Sequence, residues 1–551
     1  MSFFRHRYDY EINPDEVFLD SGNLPQFDTQ QFEGVLERPI TTRVIAILGI
    51  VFFFFGFAFL WKIFLLQVRD SDHLLAIAIN NTLEHHILFA ERGVIYDRNG
   101  EELAWNAPKR TYIDSLGFGH ILGYVSFPNE DEVREKGIHP KELVGRDGVE
   151  KIFNERLHGE SGLKIVETDV GGNIVGESVL AYARDGESVE LSIDYRIQKK
   201  MNEFIRSLSN ERGFVGGSAV IIDVKTGELI ALTNYPEYDP QVLADATDRE
   251  TISSYQNDEG KPFLNRAVQG LYTPGSIFKP FIAIGALQEG IVDPRKIFYT
   301  TGSLSLPNPY VPNTFTVFKD WKNHGAIDME DALAYSSNVY FFEIGGGFEE
   351  QIGLGIDRIK KYSEYFGFGF PTGVGFDGEK SGVIPNQKWK EEVFGEIWRI
   401  GDTYNTSIGQ YGSQVTLIQM VRAIGAIANE GALLTPSLKK GGNPENFSTI
   451  PIDKKNFKEV KQGMHSAVKY GTAVGLNVPA VSVAAKTGTA EIDFGKKYVN
   501  SWVTGFFPYE NPQYAFVVVM EQGPRDNYIG GVFVMRQLLD WMGVNTPEYF
   551  K

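Results

Sequence analysis

Leu271 to Phe281 reads LYTPGSIFKPF, and the apolar run that it opens continues as IAIGAL to Leu287. Pro274-Gly275 signals a turn and the run after it starts a helix, which puts Ser276 in the first helical turn. Lys279 lies three positions on, on the same face, where its amine can reach the serine hydroxyl. A serine alcohol is a weak nucleophile that needs an adjacent base, and an amine held in apolar surroundings is biased toward its neutral, basic form. The helix N-terminus also aims backbone N–H groups where negative charge would develop in acyl transfer. The plain alternative is a lysine snorkelling from a half-buried helix. On this tetrapeptide alone that alternative is the better reading, because Ser-x-x-Lys also begins at Ser161, Ser437 and Ser466.

Working outward, the flanking pattern is strands, then helices, then strands. SAVIIDVKTGELIALTNYP, Ser218 to Pro236, is two apolar runs joined by a Lys-Thr-Gly turn and predicts a β-hairpin. Helical segments are expected over much of Ser276 to Gly425. Strand-like runs return at Val481 to Glu491, Val499 to Pro508 and Tyr514 to Gln522. This order implies an α+β domain, an antiparallel sheet flanked by helices. Lys-Thr-Gly occurs twice. Lys225 to Gly227 sits at the hairpin tip, whereas AAKTGTA around Lys486 continues a strand of small residues along which a substrate backbone can lie. The second copy is the candidate site.

Net charge is −18, which argues against a nucleic-acid surface, and the absence of cysteine excludes thiolate nucleophiles, disulfides and cysteine zinc sites. Asp320 and His324 in KDWKNHG lack a third ligand at suitable spacing, so a capping or hydrogen-bonding histidine is the preferred reading; neither metal nor cofactor is expected. Val44 to Trp61 is eighteen residues without a charge, and with IFLL after Lys62 it predicts a membrane-spanning helix over 44–66. Arg38 and Arg43 nearly balance Lys62 and Arg69, so charge alone does not orient it. The first 43 residues, with eight acidic and four basic side chains, read as a flexible tail.

Ser276-x-x-Lys279, then Ser336-Ser337-Asn338 in ALAYSSNVYFF, then Lys486-Thr487-Gly488-Thr489 form an ordered set that resembles the class B penicillin-binding proteins, the monofunctional DD-transpeptidases of bacterial wall synthesis. RGVIYDRNGEELAWN and GRDGVEKIFNERLHG resemble that family's pedestal signatures, and HGAIDMEDALAYSSNVYFFEIG is closest to its elongation type, penicillin-binding protein 2. The resemblance implies a tail (1–43), a transmembrane helix (44–66), a small mixed pedestal of the dimerisation type (67–205) and a transpeptidase domain (206–551). It implies that Ser276 becomes the acyl-enzyme with Lys279 as base, that Ser336 shuttles a proton to the leaving amine while Lys486 holds its hydroxyl, and that Asn338 holds the substrate backbone. Thr487, Gly488 and Thr489 would line the subsite for the substrate's terminal carboxylate, with the N–H groups of Ser276 and Thr489 as oxyanion hole.

The implied partners are peptidoglycan stem peptides and their lipid-linked precursor, β-lactam antibiotics, and a polytopic glycosyltransferase of the shape, elongation, division and sporulation (SEDS) class. The implied location is the cytoplasmic membrane, with the N-terminus cytoplasmic and the catalytic domain outside. Two departures stand out: only about a dozen residues separate Asn106 from Gly119, where the family commonly places a longer pedestal head, and Gly409-Gln410-Tyr411-Gly412 replaces the usual Gly-Gln-Gly. Alternatives are a septal-type transpeptidase, a β-lactamase or penicillin sensor, and a catalytically silent scaffold. Against the lactamase stand the lack of a motif for a water-activating base and Asn338 where class D enzymes have valine.

Overall fold

Residues that alternate between two covered faces decide the architecture. In the computed structural model, which describes residues 41–75, 83–168, 173–308, 311–442, 446–492 and 497–551, the chain divides into two units. The tail expected over residues 1–43 falls almost wholly outside the described residues.

The first unit comprises the described residues up to 85 with 173–178 and the described part of 165–172. Its main element is helix α1 (Thr42–Phe64), continued by a π-helical turn at Leu65–Arg69. None of α1 is buried, and the helix is long and apolar enough to cross a membrane by length and composition. At about 1.5 Å per residue it spans roughly 35 Å. The expected helix of 44–66 is met within two residues at each end.

The second unit comprises residues 86–164 and 179–551. It begins with a small four-stranded sheet of β1 (Ile95–Tyr96), β2 (Glu102–Asn106), β3 (Arg110–Tyr112) and β4 (Val189–Glu190), in the order β3-β2-β1-β4. The turn after Asp97 forms because its carboxylate accepts the N–H groups of Asn99 (2.7 Å) and Glu101 (2.9 Å). Between Asn106 and Gly119 the chain makes only β3 before a helical turn at Gly119–Leu122.

Helix α2 (Tyr195–Arg212), capped by Asp194, places Ile197, Met201, Ile205 and Leu208 on one buried face. Then come the hairpin β5 (Gly216–Asp223) and β6 (Leu229–Tyr235), helices α3 (Lys279–Gln288), α4 (Met329–Ala334), α5 (Asn338–Gly346), α6 (Leu417–Ala428) and α7 (Lys454–Lys469), strands β7 (Ala484–Glu491), β8 (Tyr498–Phe507) and β9 (Tyr514–Pro524), and helix α8 (Gly531–Asn545). The larger sheet has the order β6-β5-β9-β8-β7 and is antiparallel throughout. Ala219 and Ile221 pack with α2 and α8 on one face. Val220 and Ile222 pack with α6 on the other. Both faces are covered, which is why AVII and FVVV read as unbroken apolar runs. The result is the α+β class expected, with β7 at the sheet edge.

Candidate functional site

The serine turn is shaped by two glycines. Gly275 (φ +58°) donates its N–H to the carbonyl of Gly409 at 2.9 Å. A Cβ on Gly409, itself at φ +73°, would stand 2.3 Å from the Gly275 oxygen, so a side chain at Gly409 would displace the serine turn. This clamp tightens Gly275–Phe278 into a 3₁₀ turn, and α3 begins only at Lys279. Ser276 therefore lies in the 3₁₀ turn preceding the helix, a correction to the first α-helical turn expected. Ile277 and Phe278 anchor the turn in the core, the Phe278 ring tilted against those of Phe281 and Phe368. The Ser276 side chain is half-buried.

Lys279 is fully buried, and its Nζ donates to the Ser336 carbonyl (2.7 Å), to Asn338 Oδ1 (2.8 Å) and to Ser336 Oγ (3.3 Å). Among the described residues no hydrogen bond joins it to Ser276. Burial pulls its pKa down to about 7, against the opposing pull of the Asp320 carboxylate. An amine so placed divides between its charged and neutral forms near physiological pH.

The Ser336-Ser337-Asn338 segment is bent by its own backbone, Ser336 sitting at φ +59° between α4 and α5. Capping of α5 falls to the middle residue. Ser337 Oγ accepts the N–H of Tyr340 and donates to Asp320 Oδ2 at 2.7 Å, leaving Ser336 and Asn338 to meet Lys279. Asp320 also accepts the N–H of Val339 at 3.0 Å. Burial pushes the Asp320 carboxyl up, but the Asn338 and Val339 N–H groups, the Ser337 hydroxyl and the Lys279 charge together hold it below the usual range. His324 Nε2 stands 3.6 Å from Asp320 Oδ1 and stacks on Tyr335. Sequence reasoning considered Asp320 as a metal ligand or hydrogen-bonding partner but did not connect it to Ser337, seventeen residues away.

Among the described residues, strand β7 pairs with β8 on one side only. Its pleat buries Lys486 and Gly488 and leaves Thr487 half-buried and Thr489 exposed. Gly488 is tight against the serine turn, since a Cβ there would meet Ile277 Cγ2 at 3.0 Å and the Pro274 oxygen at 3.1 Å. On the same interface, a Cβ on Gly275 would meet the Thr489 oxygen at 3.2 Å. Lys486 is wholly buried, and burial followed by repulsion from Lys279 lowers its pKa well below the lysine range. Its Nζ donates to the Thr487 carbonyl at 3.0 Å. The bond expected from Lys486 to the Ser336 hydroxyl is not among those of the described residues; Lys279 reaches that hydroxyl instead. Thr487 Oγ1 meets Thr472 Oγ1 at 2.7 Å, a partner that no motif marked. A cleft of about 630 Å³, lined in part by Ser305, Gly347, Ile352 and Tyr404, includes none of these side chains. The candidate site is instead a groove along a strand edge, equipped with a hydroxyl, two depressed amines and threonine hydroxyls.

Comparison with known proteins points the same way. The sequence fits the family described as penicillin binding protein transpeptidase domain over residues 217–534, and that described as penicillin-binding protein dimerisation domain over residues 106–191. It is 31% identical to peptidoglycan D,D-transpeptidase MrdA of Acinetobacter baumannii over 434 residues, 74% of this chain and 62% of that protein. The chain thus spans less than two thirds of that relative's length. The crystal structure of Pseudomonas aeruginosa PBP2 in complex with WCK 5153 superposes with a TM-score of 0.71 at 28% identity, covering 85% of this chain and 98% of that one. A chain in a structure described as structural coordination of polymerization and crosslinking by a peptidoglycan synthase complex gives a TM-score of 0.71 at 25% identity, covering 92% and 98%. With the family match covering more than half its length and falling on the domain that carries the clamped serine turn and the edge strand, the chain belongs to the penicillin-binding protein transpeptidase family.

Proposed function

We propose that the protein is a serine-type peptidoglycan D,D-transpeptidase of the elongation type and a target of β-lactams. One observation carries this: a buried amine, drawn down to about 7, bonds Ser336 and Asn338 and sits one turn from Ser276, on a segment packed against the Lys486–Thr489 edge. In the proposed cycle Ser276 Oγ attacks the carbonyl carbon of a D-Ala-D-Ala bond while its proton passes to the neutral Lys279 amine. The N–H groups of Ser276 and Thr489 receive the oxyanion, and Asn338 holds the donor peptide backbone. The C–N bond then breaks, D-alanine leaves with a proton relayed through Ser336, and an acyl-enzyme remains. The amine of a second stem peptide takes the acyl group and restores Ser276. Lys486 braces the strand edge through its bond to the Thr487 carbonyl, and the Thr487 and Thr489 hydroxyls bind the terminal carboxylate beside Gly488. Hydrogen bonds in free enzymes commonly tighten only when substrate arrives, so the unmade Ser276–Lys279 bond is compatible with this role.

Residues 67–205 form the pedestal and 206–551 the catalytic domain in this proposal, with α1 anchoring the chain in the cytoplasmic membrane, its N-terminus cytoplasmic. The similarity to a chain of a peptidoglycan synthase complex supports pairing with a SEDS-class glycosyltransferase through α1 and the pedestal; co-purification from detergent extracts that fails with an intact α1 would argue against it. The central test is covalent labelling. A fluorescent penicillin should mark the protein and Ser276→Ala should abolish the mark, whereas labelling that survives the substitution rejects the assignment. Slow release of the label is expected; rapid turnover would favour a lactamase. An epitope placed before Thr42 should resist protease in intact cells.

A further inference from the structure

The hydroxyl of Thr487 already has a companion. Helix α7 ends at Lys469, and the chain then runs through Gly471, which lies so close to α4 that a Cβ would stand 2.2 Å from the Ala334 oxygen. Thr472 donates its own N–H to that same carbonyl at 3.0 Å, and Ala473, fully buried, donates to the Ala467 carbonyl at 2.9 Å. Backbone on both sides thus pins Thr472, and its Oγ1 stands 2.7 Å from Thr487 Oγ1. One residue ties the Lys486–Thr489 edge by its side chain and the segment leading into Ser336 by its backbone.

Two hydroxyls at that distance share one proton between them and leave the other proton to point elsewhere. If Thr487 donates to Thr472, Thr487 turns only lone pairs toward the groove, which repel a carboxylate. If Thr472 donates to Thr487, the Thr487 proton faces the groove and is polarised by the bond behind it. Hydroxyl rotors exchange these arrangements at little cost, so an anion in the groove selects the second.

We propose that Thr472 is a positioning residue for carboxylate recognition, donating to Thr487 so that Thr487 presents its proton to the substrate's terminal carboxylate. This rests on the proposal that Thr487 and Thr489 bind that carboxylate. It adds a third hydroxyl, from outside the three motifs, and explains why a strap from α7 is fastened to both walls of the groove.

The test compares two probes on one preparation of the full-length chain in detergent: benzylpenicillin, which carries the carboxylate, and its methyl ester, which does not. The ratio of their acylation rate constants is independent of the folded fraction, so a partly misfolded variant still reports. The unsubstituted chain should prefer the acid. Thr472→Val, which keeps the shape and removes the hydroxyl, should reduce that preference about two- to tenfold, the range of one net hydrogen bond, and Thr472→Ser should restore it. An undiminished preference in Thr472→Val, or an equal loss for acid and ester, overturns the inference. Should Thr487→Val lose the preference while Thr472→Val retains it, the role of Thr472 alone fails. An unsubstituted chain that prefers neither probe overturns the carboxylate subsite and this inference with it.

Discussion

Lys279 is the pivot of the proposed chemistry. Its amine can serve as base only in the uncharged form, whose fraction rises as pH climbs through about 7. Acylation by a penicillin should therefore show an acid limb centred near that value. The Asp320 charge favours the ammonium, so Asp320→Asn, which still offers an oxygen to Ser337 and Val339, should move the limb to lower pH. Stopped-flow acylation between pH 5 and 9 reads both effects, and a limb that stays in place when Asp320 is neutralised would break the link between the two residues. At this scale sequence went far. That Lys279, Ser336 and Asn338 meet was legible because the ordered motifs constrain one another; the roles of these residues and of Ser276 belong to the proposal. The actual pairing of amines was not, because whether Lys279 or Lys486 reaches the Ser336 hydroxyl depends on how α3, α5 and β7 converge. Thr472 left no signal at all: its role comes from contacts with residues far away in sequence.

Among the elements, the clamp between the serine turn and the Gly409–Gly412 loop is the most exposed to disturbance. Gly409→Ala combines a close approach to the Gly275 oxygen with a positive φ that costs an L-residue roughly 1–2 kcal/mol. Acylation of that variant should fall by tenfold or more with only a modest loss in melting temperature, because the displaced atoms belong to the turn and not to the sheet core. Equal acylation by Gly409→Ala and the unsubstituted chain would show that the turn does not need the clamp. Strand positions were readable from apolar runs that match the pleat. The 3₁₀ geometry of Gly275–Phe278 was not, since the Gly409 carbonyl that enforces it arrives from a distant loop whose departure from Gly-Gln-Gly gave no hint of its contact. Tyr411, the added residue, adopts φ +53° and packs beside Trp389 and Trp398.

For the molecule as a whole, Lys279 and Lys486 are a stability cost: two amines at 0% exposure, each lowered first by burial, and Lys486 also by its neighbour's charge. Replacing one with an apolar side chain of similar length should relieve roughly 1–3 kcal/mol. Lys486→Met should accordingly melt several degrees higher while losing penicillin acylation, as activity and stability often trade at reactive sites. Calorimetry alongside labelling checks this, and a lower melting temperature would mean that the amine contributes more as a donor to the Thr487 carbonyl than it costs. The α+β class and the apolar helix were readable from composition and run order. The place of the Lys486–Thr489 strand within its sheet was not, because strand order is a property of long-range pairing.

That outermost place has a consequence for what can settle there. A terminal strand keeps one row of peptide groups unladdered, so a guest that lies straight acts as a sixth strand and is held by its own main chain before any side chain is consulted. Inhibitors built as rigid strand mimics, with alternate amides left unmethylated, should therefore outperform compact analogues bearing the same reactive ring.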